Sequence, residues 1–575
     1  MASEEIVTEM VDRSRSKPRW HILVGDFANI VKAFMGSNYL TIAYGFKQSG
    51  LVLGLVGLLV IAFITDHCCD LIVKCKYHAI QFVLDRQINS TSSLSSLKTD
   101  SSLKPFEKSE DETERSRQES AEIIKHMTRS ITYGDIGKLA CGRFGAFIVN
   151  ACVIFTQFGF CIGYCIFIGN TLFSLFPSTN VTLNTGVTQP SMATYVSSMT
   201  SENISTDYTQ NNESLLTDNV DYSMLMQNNE SSEERDEISL VTLVSNSSIP
   251  PKDNSSSYIL ISDAPDLRLL VISPLPVFFV FALLKSVRHL GFVSVGADVS
   301  LFLGCIVTMI YISIDFQVSS SWELFNLKTF PIFFGMTTAS YEGIGTIIPI
   351  ECSMEGNRHN FSKFLHGAVL ILTFILTVFG TMGYLANGDA TEQMLNKHIP
   401  ASDGFGVAIN IFLCIGVVLT FPLQVYPVTE LLEIYLFRPG AIFGRGKFQT
   451  WWRRCSEDKL ALLPKNELVV PSSAKLNAMD EIPNWKRNLL RLFVVLFAAG
   501  IAVLMRNLFA YVSAFIGAVG SSLLAYVLPC IFHLRLCWHK LGYGIRIKDI
   551  CIIVFGVVAS LVSLYTTILE VLNRV

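Results

Sequence analysis

Long apolar segments alternate with shorter polar ones along most of the chain. Eleven of these segments are long enough to cross a hydrocarbon core of about 30 Å as helices. They lie near residues 22–46, 51–75, 143–175, 267–288, 291–315, 329–350, 363–386, 404–432, 487–506, 509–535 and 549–572. The pattern therefore predicts an all-α integral membrane protein with eleven transmembrane helices.

The composition agrees with that prediction. Of the 575 residues, 50% are hydrophobic and only 16% are charged, which is typical of a multi-pass membrane protein. The net charge of −4 at pH 7 is close to neutral, so we expect no nucleic-acid partner. The 14 cysteines lie in apolar segments or in loops that we place in the cytosol, where small buried side chains explain them better than metal ligation or disulfides. We expect neither a cofactor nor a metal.

Lysine and arginine residues gather on one side of the predicted bilayer, and the positive-inside rule makes that side the cytosol. An odd number of spans then places the N-terminus in the cytosol and the C-terminus outside. The predicted regions are a cytosolic N-terminal tail (1–21), transmembrane helices 1–2 (22–76), a cytosolic charged loop (77–138), transmembrane helix 3 (139–176), an extracellular or luminal loop (177–266), transmembrane helices 4–8 (267–433), a cytosolic basic loop (434–486) and transmembrane helices 9–11 (487–575).

The loop at 177–266 carries many acids, only two basic residues and several Asn-x-Ser/Thr sequences. One such sequence is common by chance, but a cluster on the non-cytosolic side predicts N-glycosylation. The predicted sites are Asn180, Asn203, Asn212, Asn229, Asn246 and Asn254. The loop is rich in Ser, Thr and Asn, so we expect it to be largely disordered.

The sixth predicted span is apolar at both ends and polar in the middle. In hydrocarbon every backbone N–H and C=O must be satisfied internally, so a helix is broken at depth only where it lines a cavity. Glycines permit unwinding, and a carboxylate at that depth is a functional hypothesis by default. We predict a discontinuous helix beside a solute site, marked by Gly335, Thr337, Thr338, Ser340 and Glu342.

The first predicted span has a similar weak point near its middle, formed by Met35, Gly36, Ser37 and Asn38. Spans one and six each begin a set of five spans, and interrupted helices at matching positions indicate an inverted-repeat transporter. Exposed N–H groups at such breaks attract a carboxylate and free carbonyls accept from an ammonium group, so the pair suits an amino acid. The alternative is that these small residues only let helices approach closely.

The sequence resembles the proton-coupled amino acid transporter family within the amino acid/auxin permease superfamily. The resemblance is sharpest at Phe333-Phe334-Gly335, Tyr341-Glu342-Gly343-Ile344-Gly345 and Pro349-Ile350-Glu351, and it extends to Thr156–Cys161, Gly383–Leu385 and Asp66–Cys75. It implies a LeuT-like fold, with a five-plus-five inverted repeat, broken helices 1 and 6 and one extra helix. It also implies transport of small neutral amino acids with protons. The first helix departs from the family pattern, with Ala33–Asn38 where the family is richer in glycine.

The resemblance assigns proton coupling to His67. Histidine changes charge near pH 6.5, and this one has Asp66 beside it and Asp70 one turn on. The alternative for His67 is an interfacial side chain near the cytosolic end of its helix. Glu342 is a second candidate, with capping of helix-end amides as its alternative role.

The histidines at two other cytosolic span ends, His366 and His533, are expected at the membrane interface.

The function that follows is secondary active transport of small neutral amino acids, in symport with protons, across the plasma membrane or an endolysosomal membrane. The partners are thus an amino acid, a proton and the lipid bilayer. Two alternatives stay open: a vesicular antiporter that runs against the proton gradient, and a sensor that binds an amino acid and signals through its cytosolic loop. No nucleophile elbow, zinc pair or phosphate-binding loop is found, so we expect no enzyme activity.

Overall fold

The computed structural model describes residues 20–34, 36–97, 127–128, 130–176, 178–183, 257–262, 264–283, 291–314, 316–354, 357–399, 404–437 and 483–574. The chain forms two compact units, one made of residues 1–175 and 267–575 and the other of residues 176–266. The first unit contains all the helices. In chain order they are α1 (Trp20–Phe34), α2 (Ile42–Ser49), α3 (Leu51–Leu97), α4 (Tyr133–Phe173), α5 (Leu267–Ile272), α6 (Leu275–Ala282), α7 (Gly291–Ile314), α8 (Phe330–Ser340), α9 (Ile344–Ser353), α10 (Phe361–Asn387), α11 (Gly404–Phe437), α12 (Asn484–Leu504), α13 (Phe509–Ile516), α14 (Leu528–Cys537) and α15 (Tyr543–Leu572).

Eight helical stretches of the described chain are long and apolar enough to cross a membrane, which confirms the prediction of a helical multi-pass protein. They coincide with the second, third, fifth and seventh to eleventh predicted spans. One of the eight joins α13 to α14 through two π-helical turns, Gly517–Ser521 and Leu523–Val527. The first, fourth and sixth predicted spans consist of shorter helices, α1 and α2, α5 and α6, and α8 and α9.

The third span begins well before its apolar part. Thr132 caps α4 reciprocally with Asp135, because each side chain accepts from the other residue's backbone N–H. The helix then kinks at Cys141–Gly142, where Gly142 has a φ of +67°. The start that hydropathy predicts, residue 143, falls directly after this kink.

The turn between α2 and α3 depends on a glycine. Gly50 has a φ of +77°, and a Cβ there would lie 2.7 Å from the backbone of Leu324. The loop that contains Leu324 also satisfies the start of α3, since the N–H groups of Leu51 and Val52 donate to the carbonyls of Glu323 and Leu324.

Buried ion pairs join helices at the predicted cytosolic side. Lys76 of α3 pairs with Glu351 of α9, and the hydroxyl of Tyr77 donates to the same carboxylate. Both charged side chains are buried, at 0% and 1% exposure. In the same layer Glu433 of α11 accepts from Arg491 of α12 at 2.7 Å.

One expectation about this layer is wrong. His533 is buried rather than interfacial, because the first turns of α15 cover the end of α14 and place Asp549 against the imidazole. His366 is half-exposed and bonds Asp66 at 2.7 Å.

The second unit contains two antiparallel strands, β1 (Ser178–Leu183) and β2 (Ser257–Ser262). Asn180 lies opposite Leu260 in their register. The two strands lie at the ends of the 177–266 loop, where Val181, Thr182 and the Tyr-Ile-Leu-Ile run favour an extended chain. That the loop is largely disordered stays a prediction. The other predicted glycosylation sites, Asn203, Asn212, Asn229, Asn246 and Asn254, lie outside the described residues.

The buried pair between α3 and α9 predicts an asymmetric response to mutation. Lys76→Met leaves the Glu351 carboxylate buried without its cation, and we expect a loss of about 3–5 kcal/mol in the free energy of unfolding. The double variant Lys76→Met, Glu351→Leu removes both charges and should recover most of that loss. Thermal unfolding of the purified protein in detergent measures both. Lys74→Met, at an exposed pair with Asp70, is the matched control; an equal loss in this control would contradict the prediction.

Candidate functional site

The first span is broken at Gly36, as predicted. The helix α1 ends at Phe34, Gly36 is extended with φ −136° and ψ −176°, and a 3₁₀ turn at Ser37–Thr41 leads into α2. Any residue can adopt that extended conformation, so left-handed backbone freedom is not what breaks this helix. A Cβ at Gly36 would meet no described atom within 4 Å. Met35 and the side chain of Ser37 lie outside the described parts of the structure.

The sixth span is also broken, but later than the sequence predicts. The helix α8 continues through Ser340, and the interruption is at Tyr341, Glu342 and Gly343 before α9 begins. The polar residues from Gly335 to Ser340 are therefore helical. Gly343, directly before α9, has non-helical backbone angles, with a φ of −169° and a ψ of −10°.

The two breaks contact each other. The side-chain amide of Asn38 donates to the carbonyl of Ala339 at 3.1 Å, at the end of α8. A Cβ at Gly343 would lie 2.7 Å from the Phe34 ring and 2.8 Å from the carbonyl oxygen of Ala33. Two helix ends on one span therefore lie directly beside two helix ends on the other.

Only one of the four residues predicted to line the site on α8 has an unpaired polar group. Gly335 instead packs against the backbone of Ala514 and the hydroxyl of Ser563, where a side chain would clash. Thr338 accepts from the Tyr526 hydroxyl at 3.4 Å, and Ser340 donates to the carbonyl of Met336 in its own helix at 2.9 Å. Gly335 thus contacts α13 and α15, Thr338 contacts the π-helical turn Leu523–Val527, and Ser340 bonds its own helix; that these three line the site stays a prediction.

Thr337 differs from its neighbours. It is fully buried, and its hydroxyl has no hydrogen-bond partner among the described residues. A buried hydroxyl without a partner costs free energy, so a native site normally supplies one through water or a ligand. Together with Gly36 and Asn38, Thr337 marks the part of the predicted site that the geometry favours.

The helix ends at the breaks carry complementary partial charges. The 3₁₀ turn that begins at Ser37 and the helix α9 that begins at Ile344 both start without a side-chain cap from any described residue. Their free N–H groups give a partial positive charge, while the ends of α1 and α8 expose carbonyls. This arrangement suits a ligand with one carboxylate and one ammonium group.

His67 lies away from the two breaks. It borders a groove of about 390 Å³ on the membrane-facing side of α3 and α15, together with Phe63, Lys548 and Phe555. Its Nε2 atom is buried and has no hydrogen-bond partner among the described residues. The carboxylates expected to accompany it, Asp66 and Asp70, instead bond His366 and Ser362 of α10. Consecutive helical residues point about 100° apart, which explains the divergence.

Glu342 lies in the break itself. Its Oε2 atom is buried without a hydrogen bond, and the Ser521 hydroxyl lies against the carboxyl group. The carboxylate does not cap α9, since that helix has no side-chain cap. The capping role considered for Glu342 is therefore wrong.

On the predicted outer side of the two breaks, aromatic residues form a buried cluster. The hydroxyls of Tyr44 in α2 and Tyr511 in α13 lie 2.7 Å apart, and both side chains pack with Ile332 and Met336 in one buried cluster. The Arg574 guanidinium lies 5.1 Å from the centre of the Tyr511 ring. This pairing could not be predicted, since nothing in a single sequence pairs α2 with α13.

Comparisons with known proteins agree with this geometry. The family model described as "Transmembrane amino acid transporter protein" matches residues 24–90, 118–201 and 261–569. The chain belongs to this family. It is 23% identical to amino acid transporter AVT3B of Arabidopsis thaliana over 95% of this chain and 93% of that protein.

Two further relatives match over shorter stretches. Vacuolar amino acid transporter 4 of Saccharomyces cerevisiae is 26% identical over 53% of this chain and 42% of that protein. The human vesicular inhibitory amino acid transporter is 26% identical over 42% of this chain and 40% of that protein. The family membership confirms the resemblance drawn from the sixth span.

In this member of the transmembrane amino acid transporter family, a short loop after α10 holds the outer ends of two helices. Lys47 of α2 donates to the carbonyl of Asp389 at 2.5 Å, and Gln393 accepts from the N–H of Ala510 in α13 at 3.1 Å. Within the loop, the N–H of Glu392 donates to Nε2 of His398 at 2.9 Å. Because a backbone N–H can only donate, this Nε2 is unprotonated and the ring is neutral.

The loop predicts a pH dependence. Burial, with Lys47 and Lys397 nearby, lowers the pKa of His398, while Glu392 partly offsets this. The neutral ring is thus favoured in the folded loop, so the loop's stability is full above the ordinary histidine pKa of about 6.5 and falls as the pH drops below it. The protection of the Glu392 amide against hydrogen exchange, taken relative to its intrinsic exchange rate at each pH, should fall in acid. His398→Gln keeps an acceptor without titrating and should remove this fall, whereas His539→Gln should not; equal pH profiles of protection in both variants would refute the role of His398.

Proposed function

We propose that this chain is a secondary active transporter that moves small neutral amino acids in symport with protons. The proposal rests on the contact between two interrupted spans, through Asn38 and Ala339 and through Gly343 and Phe34. Uncapped helix N-termini and C-termini carry opposite partial charges. Where they lie together, they can bind the carboxylate and the ammonium group of an amino acid without charged side chains. Family membership supports an amino acid as the substrate.

The fold proposed with this function has eleven transmembrane helices. Spans one to five and six to ten form two inverted repeats, each starting with an interrupted helix, and α15 is the extra helix. The regions proposed are those predicted from the sequence. The N-terminal tail and the basic loop at 434–486 lie in the cytosol, and the glycosylated loop at 177–266 lies outside or in a lumen.

The substrate would lie between Gly36, Asn38 and Thr337, with Gly343 behind it. A Cβ at Gly36 would meet no described atom within 4 Å, and Thr337 brings a buried hydroxyl that needs a partner. The large neighbours Phe34 and Tyr341 limit the room for the substrate's side chain. These features favour small amino acids such as glycine, alanine and proline.

Proton antiport in an acidic compartment is the second candidate. It is favoured by the names of two relatives, one vacuolar and one vesicular. In that arrangement the loop at 177–266 would face the lumen of an endolysosomal compartment. The fold and the binding site would be the same, and only the direction of coupling would differ.

Uptake into proteoliposomes separates these functions. We expect purified protein to accumulate radiolabelled glycine, alanine or proline when the outside is at about pH 5.5 and the inside at about pH 7.5, which bracket the histidine titration. A proton uncoupler should abolish the accumulation. Accumulation only with the opposite gradient would indicate antiport. Thermal stabilisation by an amino acid with no flux in either direction would contradict transport and indicate a sensor.

Thr337 supplies a test of the binding site. Thr337→Val keeps the shape of the side chain and removes only the unpaired hydroxyl, so folding stability should be unchanged or higher. If that hydroxyl contacts substrate, the loss of about 0.5–1.5 kcal/mol should raise the KM of uptake by about two- to tenfold. Thr381→Val, whose hydroxyl bonds only its own helix, is the matched control. An unchanged KM in Thr337→Val would remove this residue from the site.

A further inference from the structure

The polar face of the last helix, α15, points toward the protein interior. Its buried residues are Asp549, Gly556, Ser560, Ser563 and Thr567, which recur at helical spacing on one face. Large apolar residues such as Val558, Leu561 and Tyr565 are exposed on the opposite face. Polar groups within a membrane protein are costly and mark functional pathways, so this inward face requires an explanation beyond packing.

Several hydroxyls of this interface have no partner. The polar seam, formed by Ser521, Ser522, Ser560, Ser563 and Thr567, lies between α15 and the π-helical turns after α13. Ser522 and Ser560 bond each other at 2.6 Å. Ser563 and Thr567 are 0% and 2% exposed, and their hydroxyls have no hydrogen-bond partner among the described residues, while the Ser521 hydroxyl lies against the Glu342 carboxylate. Unpaired hydroxyls close together can bind water or relay a proton, and π-helical turns often occur at functional sites.

A carboxylate and an imidazole meet at the cytosolic end of the same helix. Nδ1 of His533 lies 2.6 Å from Oδ2 of Asp549, with side-chain exposures of 9% and 0%. The other oxygen, Oδ1, is buried without a hydrogen bond and lies 3.7 Å from the Lys548 ammonium. The remaining titratable groups nearby are His67, Cys68 and Cys75 of α3 and Cys537 of α14.

We propose that the His533–Asp549 pair is a proton-binding site of this transporter, and that the polar seam belongs to the route by which protons reach it from the outer side. The inference rests on the proposed proton-coupled function. On binding, one proton adds to the imidazole, so the pair changes from a net charge of −1 to 0 and no other bond changes. On release the same proton leaves toward the cytosol beside Lys548.

The geometry favours this pair over His67. The His67 side chain borders a membrane-facing groove, beside Phe63 with an exposure of 74%, and its neighbouring carboxylates bond α10. His533 by contrast is bonded directly to a carboxylate, and both side chains are buried.

Proton coupling in four variants tests the proposal. Reconstituted wild type, Asp549→Asn, His533→Gln, His67→Ala and the control Asp70→Asn are compared by the ratio of amino acid uptake at about pH 5.5 to that at about pH 7.5, on either side of the histidine titration. Both pair variants keep a hydrogen bond between the two positions; His533→Gln removes the imidazole that takes up the proton, and Asp549→Asn removes the carboxylate that balances its charge. We expect their ratio to fall to about one, with KM unchanged, while His67→Ala and Asp70→Asn keep the wild-type ratio. A wild-type ratio in Asp549→Asn or His533→Gln, or its loss only in His67→Ala, overturns the proposal.

Two further measurements test the polar seam and the pair separately. The double variant Ser563→Ala, Thr567→Val removes two unpaired hydroxyls and should lower the proton flux that accompanies uptake, with amino acid binding unchanged. Should wild type move no amino acid, the proposed function fails and infrared difference spectra of the purified protein between the same pH values judge the pair. Imidazole bands that vanish in His533→Gln and shift in Asp549→Asn support the site. Their absence from wild type excludes it.

Discussion

Within a lipid bilayer the backbone has no solvent to bond, so each interruption of a helix must be satisfied by another part of the protein. This constraint explains why the two broken spans are neighbours. The carbonyl of Ala339, near the end of α8, is bonded by Asn38 from the other break, and Gly343 fits against Phe34 because it has no side chain. Each break thus supplies some of the hydrogen-bond partners or packing contacts that the other needs. The backbone N–H and C=O groups that remain without a partner are those available to a ligand.

The rest of the first unit holds that junction in place. On the cytosolic side the pair of Lys76 and Glu351 joins α3 to α9, and on the outer side Tyr44 and Tyr511 join α2 to α13. Gly335 allows α8 to lie directly on the backbone of α13. These contacts act on the separate halves of the broken spans. The two halves of each span are therefore fixed to different neighbours, which is what a transporter with moving half-helices needs.

Much of the architecture could be predicted from the sequence because hydropathy and the positive-inside rule depend on the bilayer, not on tertiary contacts. The break at Gly36 was predicted correctly. The break in the sixth span was placed a few residues early, because Gly335 and Thr338 look the same whether they permit unwinding or close packing. The partners of Asp66 and His533 and the surroundings of His67 could not be predicted, since a single sequence does not say which helix faces which. The strands at the two ends of the 177–266 loop pair residues about 80 positions apart, which composition does not indicate.

Because Lys76 and Glu351 bind each other in a dry layer, α9 cannot slide along α3 without leaving a bare charge in hydrocarbon. In the transport cycle proposed above, the two helices would then have to move together as one rigid unit. Between α8 and α9 of the sixth span, the non-helical hinge is the three-residue stretch from Tyr341 to Gly343. A substrate bound against this stretch would lie at the hinge, so the size of the substrate would limit how far α3 and α9 can rotate together.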